Sequence, residues 1–127
     1  MVSKLGGRTA FIGKVGNDRF GNFLYQSVAR SGVDISNLLR DSRYQTTLAF
    51  LHLDEQGNRS FSFYRDYTAD LMLEPSDIDR ELIQDSAVFH FGTLSMVAEP
   101  ARAATKAAVE IAKSSGCTIS FDPNIRL

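Results

Sequence analysis

The spacing of apolar positions changes along the chain, and each change marks an element. A short apolar run at 9–12, bounded by glycines, suits a buried strand. After Asp18, a good N-cap, Phe20, Phe23, Leu24 and Val28 recur at helical spacing, and Gly32 stands where a left-handed residue closes a helix. That spacing predicts a helix of about 13 residues. Two strand-like runs follow at 47–53 and 59–65. The linker Asp54-Glu55-Gln56-Gly57-Asn58 is rich in turn formers, so the pair reads as a hairpin. On its second run Phe61, Phe63 and Arg65 share one face, and Ser60, Ser62 and Tyr64 share the other. An arginine that ends an aromatic face is more natural over a polar ligand than in a core.

Farther along, Ser76-Asp77-Ile78-Asp79 is similar to a capping box with Asp in place of Glu, opening a short helix through Leu82 and Ile83. The near-continuous apolar run 87–91 has the pattern that a parallel strand buried on both faces requires. Gly92-Thr93-Leu94-Ser95 leaves it as a loop. Pro100 suits the first turn of a helix running to about Ser114, with Ala104, Ala108 and Ile111 on one face. Gly116 stops that helix and a strand follows at 118–121. From residue 86 onward the order is strand, helix, strand, a parallel βαβ unit of an α/β protein.

The chain closes on Asp122-Pro123-Asn124-Ile125-Arg126. A fixed-φ proline between two turn-prone polar residues suits the C-terminal lip of a buried strand, which is where open α/β sheets bind ligands. Arg65 from the hairpin and Arg126 from this lip would be placed to clamp a charged or hydroxylated substrate, or a phosphoryl group in transfer. A turn whose Asp and Asn cap backbone groups is the plainer reading of the same residues. For Gly16-Asn17-Asp18-Arg19-Phe20-Gly21 the plainer reading, a strand–turn–helix junction with an Asp cap, is preferred.

Composition removes several classes. Lys and Arg total 14 against 15 Asp and Glu, with no basic run, so nothing marks a nucleic-acid partner. No stretch approaches the roughly 18 apolar residues of a membrane span, and Met1-Val2-Ser3-Lys4-Leu5 lacks the apolar core of a signal peptide, so a cytoplasmic protein is expected. His52 and His90 fall on separate strands without metal-ligand spacing, and His90 reads as a hydrogen-bonded strand histidine. The single cysteine, Cys117, reads as a buried thiol. Lys14 follows Gly13 but lacks the phosphate-loop pattern around it, and Gly13 and Gly16 do not make a dinucleotide fingerprint.

With these residues in view, the chain resembles the PfkB (ribokinase-like) family of carbohydrate kinases, and within it the bacterial-type fructokinases. Leu5-Gly6-Gly7, Ala10-Phe11-Ile12-Gly13 and Val15-Gly16-Asn17-Asp18-Arg19-Phe20-Gly21 resemble the end of the family's first signature. Gly32-Val33-Asp34 is similar to its "GVD". Phe63-Tyr64-Arg65 with Thr68-Ala69-Asp70-Leu71 resembles "FYR…SADLLL", with Thr68 for the usual Ser. Phe89-His90-Phe91-Gly92-Thr93-Leu94-Ser95 resembles "FHFGSISL", and Asp122-Pro123-Asn124-Ile125-Arg126 resembles "DPNLR".

The resemblance implies a partial three-layer, Rossmann-like α/β domain over 1–127, with a lid hairpin at approximately 47–66. It implies transfer of the ATP γ-phosphoryl group to a sugar hydroxyl with Mg²⁺, and a homodimer contact through the lid. The substrate-binding residues it implies are Phe63, Arg65, Gly92, Asn124 and Arg126. The family's first strand with its sugar-binding Asp has no counterpart here, and neither has the distal half with the "GAGD" anion hole and catalytic Asp. No catalytic residue or metal ligand is therefore assigned within this segment. The isolated polypeptide is expected to be inactive, and its open strand edges are expected to favour association. Within the family, 2-keto-3-deoxygluconate kinase and nucleoside kinase remain open. A non-catalytic sugar- or partner-binding relative, and a reading frame taken short, remain open outside it.

Overall fold

The computed structural model describes residues 1–125. Its elements run β1 (Gly13–Gly16), α1 (Arg19–Arg30), β2 (Leu38–Asp41), β3 (Leu48–Leu53), β4 (Arg59–Tyr64), α2 (Arg80–Gln84), β5 (Val88–Gly92), α3 (Ala101–Ser114) and β6 (Thr118–Asp122), with short 3-10 turns between them. Among the described residues the strands form three pairs: β1 with β2 and β5 with β6, both parallel, and β3 with β4, antiparallel. The expected hairpin and βαβ unit are both present.

The first strand differs from expectation. The ladder falls on Gly13–Gly16, whereas 9–12 contributes only a bridge between Ala10 and Asp34. Phe11 stays half exposed, and it is Val15 that is buried. Glycine at 16 and 21 lets this strand approach the first turn of α1 and the segment after β2 closely. A Cβ on Gly16 would meet the Thr46 amide nitrogen at 2.6 Å, and one on Gly21 would overlap the Gly16 carbonyl.

Asp18 explains that closeness. Its Oδ1 accepts the Gly21 N–H at 2.7 Å as the α1 N-cap, and its Oδ2 accepts the Thr46 N–H at 2.8 Å. Gly32, at φ 73, closes α1 as expected. The predicted apolar face of α1 forms, but Phe20 and Phe23 are exposed, because no element among the described residues packs over them.

The core lies where α2 and α3 cover one face of β5 and β6. Ala104, Ala108, Ile111 and Ala112 meet Leu73, Ile78, Ile83 and Cys117, with Phe89 and Ile119 against them. The Cys117 thiol is buried and donates to the Ser86 carbonyl at 2.9 Å. The expectation that 87–91 is buried on both faces is not met. Phe89 and Phe91 turn toward α3, but Val88 is 57% exposed and His90 is exposed, because this chain covers only one face of the pair. The capping box also lies earlier than expected: the Glu74 N–H donates to Asp77 Oδ2 at 2.8 Å around the turn Pro75–Asp77, and Asp79 alone caps α2.

Polar stitches join β1 and β2 to this core. Buried Asn37 donates from Nδ2 to the Asp77 carbonyl (2.8 Å) and accepts the Asp79 N–H (2.9 Å). Buried Lys14 donates to the Met72 carbonyl (2.8 Å) and pairs with Asp77 and Asp41. Asp41 also takes a two-point contact from Arg43. The hydrogen bond from the Arg43 guanidinium holds the Asp41 carboxyl down to about 2.

In the complete gene product, Gly21→Ala is expected to lower stability by at least about 2 kcal/mol in urea unfolding, since either the cap or the strand must move. Because the folded pKa of Asp41 lies below its ordinary 3.8, its contribution is complete above that value and is lost as pH falls toward 2. Asp41→Asn should therefore lose less stability than the wild type between pH 5 and about pH 2, read from urea midpoints.

Candidate functional site

The candidate site is built at the base of the hairpin. The β3–β4 ladder ends at the Leu48–Tyr64 pair, so Thr47 and Arg65 are the first residues below it. The chain then turns back through Tyr67, whose φ of 53 is rare for a bulky residue. This turn sets Asp70 beneath Arg65. The Ala69 N–H donates to the Gln45 carbonyl at 2.9 Å and ties the two legs of the hairpin together.

Asp70 is the hub. Arg65 Nε donates to its Oδ2 at 2.9 Å, and Nη2 stands 2.7 Å from the same oxygen in the ion pair. Thr47 Oγ1 and Thr68 Oγ1 both donate to Oδ1, the latter at 2.8 Å. Burial pushes the Asp70 carboxyl up, but the hydrogen bonds from Thr47, Arg65 and Thr68 outweigh it and hold it below the usual carboxylate value.

From there the contacts run to the strand ends. Arg65 Nη2 also donates to the Leu94 carbonyl at 2.9 Å, in the turn Thr93–Met96 that follows β5. Gly92 ends β5 opposite Asp122 in β6. Thr93 Oγ1 reaches the Pro123 carbonyl at 3.4 Å. The Asn124 N–H donates to Asp122 Oδ1 at 2.8 Å, and Asn124 takes the left-handed conformation with φ 46. The hairpin base, the loop after Gly92 and the loop holding Asn124 thus meet in one continuous set of contacts at the lip of the parallel pair.

Of the residues anticipated from sequence, Arg65, Gly92 and Asn124 lie along that set. Phe63 lies two residues before Arg65 on the hairpin, 63% exposed and stacked on Phe61. Arg126 lies outside the described residues. The expectation of a turn at Asp122 to Asn124 holds, with Asp122 as the capping group. Asp70, Thr47 and Leu94 were given no role from sequence, although Asp70 and Leu94 lie in stretches that carry the family resemblance. Their signal is only that Asp70 follows Arg65 by five residues with a threonine between them.

Other candidates resolve as structural. His90 Nδ1 bonds Ser120 Oγ at 2.9 Å, and His52 Nε2 bonds Ser62 Oγ at 3.0 Å. Lys14 is consumed by the Asp77 and Met72 contacts. In the glycine-bounded loop the Gly16, Asn17 and Gly21 amides are already donated to Thr46, Asp41 and Asp18, so that loop offers no phosphate cradle. No cluster of three metal-ligating side chains occurs among the described residues, and no helix among them is long and apolar enough to cross a membrane. Two surface clefts, of about 390 and about 320 Å³, open beside α3 and beneath Tyr67. Arg65 lines the second, and neither of the two is lined by Gly92 or Asn124.

The profile of the pfkB family carbohydrate kinases matches residues 1–127. The chain belongs to that family. It is 46% identical over 125 residues to fructokinase-1 of Zea mays and 42% identical over 126 residues to probable fructokinase-5 of Arabidopsis thaliana, covering 98% and 99% of this chain. The crystal structure of fructokinase from Xylella fastidiosa superposes with a TM-score of 0.92 at 38% identity, over 98% of this chain and 38% of that one. The fructokinase of Vibrio cholerae O395 in its fructose-, ADP- and calcium-bound form superposes with a TM-score of 0.85 at 37% identity, over 98% and 40%. The chain spans 39% of the length of each of the two plant relatives. The fold is accordingly a part of the pfkB kinase fold, as the sequence resemblance implied.

Arg65→Ala should free the loop after β5 from the hairpin. In the complete gene product, amide exchange over residues 93–96 is expected to quicken roughly tenfold, the loss of one charge-assisted hydrogen bond. Unchanged exchange there would show that the tie to Leu94 holds nothing.

Proposed function

We propose that this chain supplies the lid and part of the sugar site of an ATP-dependent kinase that phosphorylates a hydroxyl of fructose or a related ketose. The observation that carries the proposal is the Arg65 tie from the hairpin base to the Leu94 carbonyl, in a chain of this family. It sets a cationic donor from the base of a two-stranded hairpin against the lip where α/β sheets bind ligands. The names of the plant relatives and the fructose-bound neighbour support fructose as the sugar.

On this reading Phe63, Arg65, Gly92 and Asn124 face the sugar, and Arg126, outside the described residues, joins them as a sugar-binding residue. Arginine and asparagine donors hold hydroxyl oxygens, and Gly92 lets backbone approach the ligand. None of these groups serves as the base for the attacking hydroxyl. The described residues fit neither the nucleotide phosphates nor Mg²⁺, since the glycine loop amides are spent and no carboxylate cluster is present. ATP, its metal and the base belong, in this proposal, to the part of the kinase that the relatives carry beyond the matched region.

The hairpin also carries an apolar face. Leu51, Leu53 and Phe61, farther from the base than Phe63, are about half exposed or more and share one side of the β3–β4 ladder. We assign this face to a second copy of the chain, which makes the protein a homodimer through its lids, and we place the protein in the cytoplasm.

The test is a coupled ATP assay on the complete gene product and on the 127-residue polypeptide. Fructose-dependent ADP release is expected from the former and none from the latter. Arg65→Ala is expected to raise the KM for fructose at least about tenfold. A complete product that phosphorylates no ketose would refute the proposal.

A further inference from the structure

We propose that Asp70 is a specificity-determining residue: by occupying one edge of Arg65 it fits the site to a neutral polyhydroxyl ligand and against a carboxylate. The inference rests on the assignment of Arg65 to the sugar site made above, and goes beyond it by naming what Arg65 is able to hold.

A guanidinium carries one N–H on Nε and two on each Nη nitrogen. It grips a carboxylate best with two parallel N–H groups, drawn either from the Nε–Nη2 edge or from the Nη1–Nη2 end. In this chain the Nε–Nη2 edge is closed on Asp70 Oδ2, at 2.9 and 2.7 Å. Nη2 also donates to the Leu94 carbonyl at 2.9 Å, so the Nη1–Nη2 end lacks one of its two parallel donors. Among the described residues Nη1 makes no hydrogen bond. Its two N–H groups remain, and they diverge, which suits separate hydroxyl oxygens rather than one carboxylate.

Charge points the same way. Arg65 and Asp70 cancel at neutral pH, so an incoming carboxylate gains no net attraction and meets the Asp70 anion close by. Nor is Asp70 free to swing aside. Its Oδ1 accepts from Thr47 and Thr68, whose hydroxyl oxygens stand 2.6 Å apart. Turning the carboxylate away would leave the two hydroxyls with only each other to bond. The arginine alone is compatible with fructose and with an acidic ketose; its fixed counter-ion separates them.

The experiment compares kcat/KM for fructose and for 2-keto-3-deoxygluconate in the complete gene product, wild type and Asp70→Asn. The substitution keeps an acceptor oxygen for Arg65 and removes the charge. The ratio of kcat/KM values is expected to move toward the acidic sugar by at least about tenfold, through its KM rather than its kcat. A folded Asp70→Asn protein with an unmoved ratio would overturn the inference. A wild-type measurement stands beside it, competitive inhibition by gluconate and by its uncharged counterpart glucitol. Gluconate is expected to bind no tighter than glucitol, and tenfold tighter binding would overturn the inference without any variant. Arg65→Ala separates the two levels. If it leaves the KM for fructose unchanged, the assignment of Arg65 fails and the inference with it. If it raises that KM while the Asp70→Asn ratio stays fixed, only the inference fails.

Discussion

A buried lysine needs partners, and in this chain the partners of Lys14 decide where the hairpin stands. Lys14 is 6% exposed, and an ammonium there without anions or carbonyls around it would be strongly destabilising. Its contacts come from Asp41, Met72 and Asp77. Asp41 is the last residue of β2, before the chain rises into the hairpin, and Met72 ends the 3-10 turn by which the chain returns. One cation on β1 therefore gathers both legs of the excursion. Asp18 adds a second clamp on the rising leg through Thr46, and the Ala69-to-Gln45 hydrogen bond closes the gap between the legs.

The arrangement at the strand lip follows from that gathering. With the legs held together, Thr47 and Thr68 face the same carboxylate, and the left-handed turn at Tyr67 brings Asp70 back under Arg65. Arg65 then spans to Leu94, which belongs to the βαβ unit rather than to the hairpin. The ion pair is more than a surface contact, since the Arg65 side chain is 20% exposed and the Thr47 and Thr68 hydroxyls hold the carboxylate from its other side. Surface pairs of this type contribute little by themselves. Here the pair matters by orienting a guanidinium rather than by adding stability.

Much of this was legible in the residues. Periodicity located both long helices to within a residue or two, because Asp18, Gly32, Pro100 and Gly116 are strong start and stop signals. The hairpin and its facing pattern followed from alternation and a turn-rich linker. The strand at 9–12 was misplaced because hydrophobicity favours Phe11 and Ile12, whereas the ladder requires small residues where β1 crosses α1 and falls on Gly13–Gly16. The near-continuous apolar run at 87–91 implied two covered faces, yet the chain supplies one helix layer for it. The structural roles of Lys14 and Asp70 were not read for a common reason. Burial of a charge is set by residues distant in sequence, Asp77 for one and Thr47 for the other, and no local pattern reports it.

The distribution of burial explains why polar contacts govern this site. Ile83 is the one large side chain fully buried among the described residues, and three alanines of α3 make up much of the core around it. Neither face of the hairpin packs on that core; Phe50 and Tyr64 on one side and Leu51, Phe61 and Phe63 on the other all remain open. An apolar face that packs on nothing in its own chain sets no angle for the hairpin. The angle is set at its base, by Lys14, Asp18, Thr47 and Asp70, through hydrogen bonds whose geometry is directional where hydrophobic contact is not. Asp70 belongs to both sets of contacts, holding the hairpin leg through Thr47 and Thr68 and the guanidinium through Arg65. On the proposed assignment of Arg65, a ligand that competed for it with a carboxylate of its own would have to displace Asp70 and so loosen the hairpin base. A hydroxylated ligand that takes only the Nη1 donors would leave the base intact. Charge selection and hairpin position would then be linked through a single side chain.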